Sequence, residues 1–495
     1  MIIKKCLFLV FLSIFIMFPY FFYDFKQAII GILILVLFGM LNWIIFFAVS
    51  VYSLVINIFY FHIFTHWGNL AISSRIEAAL ESPSYEQLEY IKSYFNVWDI
   101  FNLSFLLLSI IFLVYFNRKY KKIVCPKKII LSMIVIIFTI LAIPAQPNTI
   151  KTLQIIHFPL TFLRTYQRLQ TYSQRNQFIN TLSAKKDSNI SSIYNKIIII
   201  QGEAVNKNHM AIYGYKKETT PFLSSIKIYK INAISPTNQT RYSIPIELTK
   251  ATVDNFNKFY KSPSIVSVFK NYGYSTYWIS NQGQRGVHDT SITSMAKEAD
   301  HISFLNELDY STAKLDSGVL SVLDKISINN TSKQMFVIHL LGSHVKYNKR
   351  YPSNYRLLSD NNIVNAYDNS IYYTDYILSE IYKRFPKDTS LFIYLSDHGE
   401  VVDDNLHGHG FFPSYKDEYE IPLIIFGKGN MDRINKLKKN TNGKILNTEC
   451  FDQIIMYLAG FINDVNISYS STVFSLKPKN IIDYKDLKYY KNQEE

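Results

Sequence analysis

The chain has 495 residues, of which 48% are hydrophobic and 16% aromatic, and it carries a formal charge of +14. Of its three cysteines, Cys6 and Cys125 lie in apolar N-terminal sequence, which excludes a disulfide-stapled domain and a cysteine-rich zinc finger. The basic excess is compatible with nucleic acid, an anionic membrane or a phosphate-rich substrate, and the high aromatic fraction favours the membrane.

Apolar runs dominate residues 1–147. A helix needs about 20 apolar residues to cross the hydrocarbon core of a bilayer. Residues 28–64 are nearly uncharged and are long enough for two short spans. Single spans are predicted at residues 6–23, 101–116 and 129–145. We therefore predict an anchor of five transmembrane helices.

Basic residues orient this anchor, because loops rich in lysine and arginine stay in the cytoplasm. Lys4 and Lys5 precede the first span, and a second basic cluster, between residues 118 and 128, separates the last two spans. An even number of spans must lie between the two clusters, and four spans satisfy this condition. The fifth span then delivers the rest of the chain to the outside.

Two polar stretches flank the later spans. Residues 66–98 are predicted to lie outside, and helix-like spacing within them suggests a helix along the membrane surface. Residues 148–190 are predicted to form a helical connector near the membrane surface. Its basic residues include Arg164, Arg168 and Arg175.

Strands and helices alternate over residues 191–495, which predicts a largely parallel sheet covered by helices on both faces, an α/β/α sandwich. A helix is predicted at Val364–Arg384, and the charged, tyrosine-rich stretch from about Pro478 is predicted to be a surface tail. Active residues are expected just past the carboxyl ends of the strands. The strands are predicted at Lys196–Gln201, Ser275–Ile279, Met335–Leu341, Ser390–Leu395 and Pro422–Phe426.

Side chains that bind metals follow three of these strands. Glu203 follows the first strand, His344 follows the third, and Asp397 and His398 follow the fourth, within Ser396-Asp397-His398-Gly399-Glu400. Carboxylate and imidazole together suit zinc or manganese better than calcium or magnesium. One such residue alone is more often a cap or a turn residue, but three strand ends together predict a metal centre.

Three further histidines need separate interpretation. His407 and His409 lie in a glycine-rich loop after the Asp397-His398 pair and add two candidate ligands. His339 lies inside a strand and is predicted to be a packed core histidine.

The motifs resemble those of the alkaline phosphatase/sulfatase superfamily, and most closely its phosphoethanolamine transferase branch. The resemblance covers roughly residues 190–430, and the five-span anchor also fits this branch. The matching segments, in the family order, are Gly202-Glu203, His209 to Tyr215, Thr219-Thr220-Pro221, Asn238 to Pro245, Gly342-Ser343-His344, Ala366 to Ile371, Ser396 to Glu400 and His409-Gly410.

The resemblance implies an alkaline-phosphatase-like domain with a bound zinc ion, for which Mn²⁺ is the alternative. Thr240 is the implied nucleophile because it lies five residues before Pro245, as the catalytic threonine of the family does. The implied ligands of the primary metal are Glu203, Thr240, Asp397 and His398.

The resemblance also implies that His344 and His409 bind the substrate phosphate or a second metal. His407 is the runner-up for His409, because the repeated Gly-His pairs blur the alignment.

The implied reaction moves phosphoethanolamine from phosphatidylethanolamine to lipopolysaccharide through a phospho-threonine intermediate, with release of diacylglycerol. The acceptor is either a core heptose or lipid A. The implied location is the bacterial inner membrane, with the catalytic domain in the periplasm and membrane lipid as a partner. The basic charge then suits anionic lipid and lipopolysaccharide, so nucleic acid is not an expected partner.

Several alternatives remain at this point. A glycerophosphate transferase using phosphatidylglycerol has the same type of anchor and nucleophile, and a related membrane phosphatase or phosphodiesterase belongs to the same superfamily. A non-enzymatic membrane protein is less consistent with the intact ligand set. A formylglycine-dependent sulfatase is excluded because the segment Ser243 to Glu247 lacks the required arginine. Two departures from the transferase pattern are the absence of disulfides and Asn206 in place of arginine.

Overall fold

The computed structural model describes residues 43–67, 97–120, 192–283, 290–306, 314–427, 431–476 and 480–490, together with parts of 10–39 and 163–179. The chain divides into two compact units. The first comprises Met1–Leu80 and Tyr90–Gln167, and the second comprises Glu81–Glu89 and Arg168–Glu495. The domain boundaries inferred from sequence, at residues 147 and 190, stay predictions.

Two long helices characterise the first unit, namely α1 (Trp43–Trp67) and α2 (Val97–Tyr120). The Nδ1 atom of His62 in α1 lies 2.7 Å from Oδ1 of Asp99 in α2, so a polar pair links the two helices. The helices overlap the apolar runs from which spans are predicted.

Among the residues that the structure describes, no helix combines the length and the apolar character needed to cross a membrane. The predicted span at residues 129–145 and most of the predicted external segment 66–98 lie outside the described residues, as does most of the 148–190 connector. The five-helix anchor therefore stays a prediction.

Parallel pairing organises the sheet of the second unit. Its strands are β1 (Lys196–Gly202), β2 (Ile228–Ile234), β3 (Ser275–Gly283), β4 (His301–Asn306), β5 (Gln334–His339), β6 (Ser390–Ser396), β9 (Glu420–Phe426) and β10 (Leu446–Asn447). They lie side by side in the order β10-β2-β9-β6-β1-β5-β3-β4. Within this described sheet, β9 runs antiparallel to both of its neighbours and the other pairs are parallel.

Burial explains why the central strands form where apolar runs predict them. Every residue of β1, β5, β6 and β9 is buried, because both faces of the sheet are covered. The five predicted strands are confirmed with shifts of a few residues at their ends. Three described strands of this sheet are missing from the prediction, namely β2, β4 and β10.

Helices cover the sheet. They are α3 (Pro221–Ser225), α4 (Thr240–Leu248), α5 (Ile265–Asn271), α6 (Ser291–Ala296), α7 (Ser317–Leu323), α8 (Ile363–Arg384), α9 (Met431–Thr441) and α10 (Phe451–Leu458). Ile198 and Ile200 of β1 share one apolar cluster with residues of α3, α7 and α8, whereas α5 contacts β3 and β5. The predicted helix at Val364–Arg384 is confirmed as α8.

Two hairpin-like pairs stand apart from the main sheet. One joins β7 (Val401–Val402) to β8 (His407–Gly408), and the other joins β11 (Thr472–Phe474) to β12 (Ile481–Asp483).

The C-terminal segment 480–490 is packed onto the domain, so its prediction as a surface tail is wrong. The hydroxyls of Tyr484 and Tyr489 donate to Oε1 of Glu420, at 2.6 and 3.0 Å. The backbone N–H of Tyr490 donates to Oδ2 of Asp417 at 3.0 Å. The physical reason is that the tyrosines combine ring burial with hydroxyl hydrogen bonding, which composition alone does not reveal.

The register of the sheet brings the predicted ligands together. Gly202 at the end of β1 pairs with Ser396 at the end of β6, and the two strands are parallel. The next residues along the chain, Glu203 and Asp397, therefore leave the sheet at the same edge.

Candidate active site

Glu203 and Asp397 begin two loops that are hydrogen-bonded to each other. The backbone N–H of Ala204 donates to Oδ1 of Asp397 at 3.2 Å, and that of Val205 donates to Oγ of Ser396 at 2.9 Å. Ala204 has a φ of +57°, a conformation that residues other than glycine rarely adopt. The strained turn keeps the Glu203 loop close to the Asp397 loop.

Thr240 is the first residue of α4, and its side chain reaches the same edge of the sheet. Its hydroxyl lies 3.2 and 3.4 Å from the carboxylate oxygens of Glu203 and 3.2 Å from Nε2 of His398. The N-terminus of a helix carries partial positive charge, which favours an anion at this position. The sequence-predicted nucleophile therefore lies among the sequence-predicted ligands.

The spacing of the four implied ligands suits a tetrahedral ion. Zinc bonds of about 2.0–2.1 Å at tetrahedral angles hold neighbouring ligand atoms about 3.4 Å apart. Nε2 of His398 lies 3.3 Å from Oε1 of Glu203 and 3.5 Å from Oδ2 of Asp397, and the Thr240 distances fall in the same range. These separations match the edges of such a tetrahedron.

The orientation of His398 also fits a metal. Its Nδ1–H donates to the carbonyl of Gly399 at 2.8 Å, which leaves the lone pair of Nε2 directed at Glu203 and Thr240. In the described part of the chain, the buried Oδ2 atom of Asp397 has no well-formed hydrogen bond. A cation between these groups would satisfy both atoms, so the residues fit zinc.

The pKa values of the buried side chains are also shifted by their mutual charges. Burial and the neighbouring charge of Glu203 raise the pKa of Asp397 to about 7. Burial lowers the pKa of His398, but the charges of Asp397 and Glu203 outweigh it and raise the value to about 10. Burial also acts to raise the pKa of Glu203, but the hydrogen bond and charge of His398 hold it below its ordinary value. The carboxylates of Glu203 and Asp397 thus favour positive charge at the position that Nε2 of His398 faces, whether a proton or a metal ion supplies it.

His409 joins this site through its neighbour Glu400. The Nδ1–H of His409 donates to Oε2 of Glu400 at 2.7 Å, and the hydroxyl of Tyr347 donates to Oε1 at 2.6 Å. The rings of His409 and His398 are 4.0 Å apart between centroids. Ligand atoms of Glu203, His398 and His409 lie within 4.8 Å of one another, a spacing that suits one metal ion.

The other two candidate histidines lie farther out. The ring of His344 is 6.3 Å from that of His409, and within the described residues its buried Nδ1 has no hydrogen-bond partner. His407 lies in β8, with its ring 6.1 Å from that of Tyr347. His339 is buried within β5, next to Ser280, which confirms its interpretation as a core residue.

Sequence reasoning missed three residues that support the site. Gln282 donates from Nε2 to Oε2 of Glu203 at 2.9 Å. Glu400 ends the Ser396–Glu400 motif, and its place two residues after His398 is a signal that could have identified it. Tyr347 gives no comparable signal, because it is one tyrosine among 37.

A second polar cluster surrounds the buried Asp368 of α8. Its carboxylate accepts from Nδ1 of His209 at 2.8 Å, from the hydroxyl of Tyr215 at 2.9 Å and from Nζ of Lys217 at 2.6 Å. The cluster brings together two of the motifs that suggest the family, the His209–Tyr215 segment and the Asp368 segment.

Comparison with known proteins identifies the family to which the chain is similar. Residues 195–454, more than half of the chain, match the sulfatase family. The chain is 25% identical over 405 residues to phosphoethanolamine transferase EptC of Escherichia coli, covering 73% of this chain and 70% of that protein. It is 28% identical over 253 residues to phosphoethanolamine transferase EptA of Helicobacter pylori, covering 46% and 47%.

Two solved structures share the fold. The zinc complex of the C-terminal periplasmic domain of EptC from Escherichia coli aligns with a TM-score of 0.53 and 22% identity, covering 62% of this chain and 96% of that domain. The integral membrane protein lipooligosaccharide phosphoethanolamine transferase A (EptA) of Neisseria meningitidis aligns with a TM-score of 0.57 and 15% identity, covering 88% of each chain.

Proposed function

The chain belongs to the sulfatase family, and on this premise we propose that it transfers phosphoethanolamine from phosphatidylethanolamine to lipopolysaccharide. The observation that carries the proposal is the position of the Thr240 hydroxyl, 3.2 Å from both Glu203 and His398. The naming of several relatives as phosphoethanolamine transferases supports this substrate over phosphatidylglycerol.

The residues that would hold zinc are Glu203, Thr240, Asp397 and His398. When bound, zinc would lower the pKa of the threonine hydroxyl and stabilise charge on the phosphoryl oxygens. Mn²⁺ is the alternative ion, since it also accepts carboxylate and imidazole ligands.

In the first half-reaction, the Thr240 hydroxyl loses its proton to solvent, and its oxygen attacks the donor phosphorus. The phosphorus–oxygen bond to diacylglycerol breaks, and diacylglycerol leaves as an alcohol after taking up a proton. A phosphoethanolamine ester on Thr240 remains. His409, held by Glu400, is the proposed proton donor to the leaving oxygen, and His344 binds the phosphoryl oxygens.

In the second half-reaction, an oxygen of the acceptor attacks the same phosphorus. The bond between phosphorus and Thr240 breaks, the acceptor loses its proton, and the threonine hydroxyl is restored. A phosphate of lipid A and a hydroxyl of a core heptose both supply such an oxygen, so the chemistry accommodates either acceptor.

A lipid donor requires that the catalytic domain lie at a membrane. We propose the five-span anchor described above, in the bacterial inner membrane, with the domain on the periplasmic side. The coverage of 88% of the EptA integral membrane protein supports this arrangement at the level of the fold.

The function is tested by mass spectrometry of lipopolysaccharide from cells with the gene, without it, and with Thr240→Ala. Only the intact gene is expected to add phosphoethanolamine, and the fragment ions locate the acceptor. Purified wild-type protein should lose activity in a chelator and regain it with zinc. Unchanged lipopolysaccharide in all three strains, at normal protein levels, would contradict the proposal.

A further inference from the structure

Asp316 is a buried carboxylate at the start of α7 that does not cap its own helix. It is 2% exposed, and its side chain makes no hydrogen bond to the first turn of α7. Instead, its two oxygens accept from the backbone N–H groups of Leu341 and Gly342, at 2.8 and 2.9 Å. Its charge is therefore directed at the loop that leads to His344.

The loop that Asp316 holds is packed directly against Glu203. The backbone N–H of Ser343 donates to the carbonyl of Glu203 at 2.9 Å. Gly342 has a φ of +54°, and a methyl group on its Cα would lie 2.7 Å from that same carbonyl oxygen. This close approach leaves little freedom for the loop to shift without moving Glu203 or His344.

Asp316 also holds the end of β3. Its Oδ1 accepts from Nδ2 of Asn281 at 2.8 Å, and the next residue, Gln282, donates to Glu203. Nε2 of Gln282 also donates to the carbonyl of Leu340 at 3.2 Å. The carboxylate of Asp316 thus fixes two segments, the end of β3 and the loop 340–344, and both segments contact Glu203.

We propose that Asp316 is a positioning residue for the metal centre, which sets the placement of Glu203 and His344 through the loop 340–344 and through Gln282. The inference rests on the proposed function in one respect, because that proposal makes the site a metal centre. The contacts of Asp316 do not depend on it. Partners that orient metal ligands typically contribute about 10–100-fold to metal affinity. A side chain that only stabilised α7 would affect folding without affecting zinc binding.

The test compares Asp316→Asn with Asp375→Asn in the full-length, detergent-purified protein. Asp375 is a matched control, because it is also 2% exposed and accepts from two successive backbone N–H groups, those of Phe222 and Leu223. Those groups belong to α3. Zinc affinity is measured by competition with a chelator, and the thermal midpoint of each protein is recorded with and without zinc.

Both variants are expected to lose thermal stability, but only Asp316→Asn should bind zinc more weakly, by about tenfold or more. Unchanged zinc affinity in Asp316→Asn, or an equal loss in both variants, would overturn the proposal. If Asp316→Asn does not fold, Gln282→Ala decides the matter: weaker zinc binding supports the proposal, and wild-type affinity overturns it.

The zinc comparison remains informative if the wild-type protein transfers no phosphoethanolamine. In that case the proposed function fails, whereas the positioning role of Asp316 is judged on metal affinity alone.

Discussion

The chemistry of the site depends on carboxylates that are buried side by side. Glu203, Asp397 and Glu400 are each at most 1% exposed. Burying several like charges without a compensating cation is costly, and the raised pKa values of Asp397 and Glu400, both about 7, express that cost. A divalent ion held by these residues, as proposed above, would offset that cost.

His409 and His407 differ in their contacts, and this difference predicts different effects of substitution. His409→Ala removes the ring beside His398 and the partner of Glu400, so transfer should fall by about a hundredfold or more. His407→Ala should reduce it by less than about tenfold, because that ring contacts Tyr347 instead. Steady-state rates of both purified variants at saturating zinc measure the contrast. A larger loss in His407→Ala would reverse the assignment.

The buried Asp375 predicts a pH dependence of stability. Burial raises its pKa from 3.8 to about 7, so the folded protein holds this proton more tightly than the unfolded chain. Its contribution to stability is therefore greatest below about pH 4 and is lost as the pH rises through 7, by up to a few kcal/mol.

Asp375→Asn removes this titration. The thermal midpoint of wild type minus that of the variant should therefore fall between about pH 4 and pH 7. A constant difference across that range would mean that Asp375 does not titrate as described.

At the scale of single residues, the sequence identifies the site residues that directly follow the end of a strand. Glu203, Asp397 and His398 follow apolar strands directly, so parallel pairing alone brings them together. Thr240 was assigned only through the family resemblance, because its position depends on α4 packing across the sheet edge. Asp316 and Gln282 were not assigned, since their roles depend on loops brought together by β3, β5 and α7.

At the scale of elements, two loops form a tight contact behind the proposed metal ligands. The backbone N–H of Gly399 donates to the carbonyl of Glu418 at 2.9 Å. A methyl group on Gly399 would lie 2.1 Å from the carbonyl oxygen of Asp417, so any side chain must push the loops apart. The C-terminal segment 480–490 packs on the same loop through Asp417 and Glu420.

Gly399→Ala should therefore weaken zinc binding, because it displaces the chain between His398 and Glu400. We expect a loss of at least about tenfold in zinc affinity, measured by chelator competition. Gly443→Ala is the control, because Gly443 has a φ of +69° but open space around it. That control should lower the thermal midpoint only, and equal zinc affinities in the two variants would contradict the contact described.

The elements that were missed have a common physical cause. β2 alternates between buried and exposed positions and contains Lys230 and Asn232, so it lacks an apolar run. β4 is an edge strand with exposed residues, and β10 has two residues. Such strands are defined by their neighbours in the sheet, whereas β1 and β6 are evident from their own composition.

At the scale of the whole molecule, the proposal needs a membrane anchor that holds the catalytic domain outside the cytoplasm. Alkaline phosphatase fused after residue 123 should be inactive, because the basic loop stays inside. A fusion after residue 150 should be active, because it follows the fifth span. The phosphatase activity of each fusion in cells, normalised to protein level, reports the side of the membrane on which the fusion point lies. An active fusion at 123 and an inactive one at 150 would exclude the five-span topology.

The central claim is that Thr240 carries the transferred group. It is tested most directly by incubating the zinc-loaded protein with phosphatidylethanolamine, without acceptor, and analysing the Thr240 peptide by tandem mass spectrometry. We predict one phosphoethanolamine group on Thr240, absent from Thr240→Ala and released when lipopolysaccharide is added. Transfer to lipopolysaccharide by Thr240→Ala at the wild-type rate, or an adduct on another residue, would contradict the account.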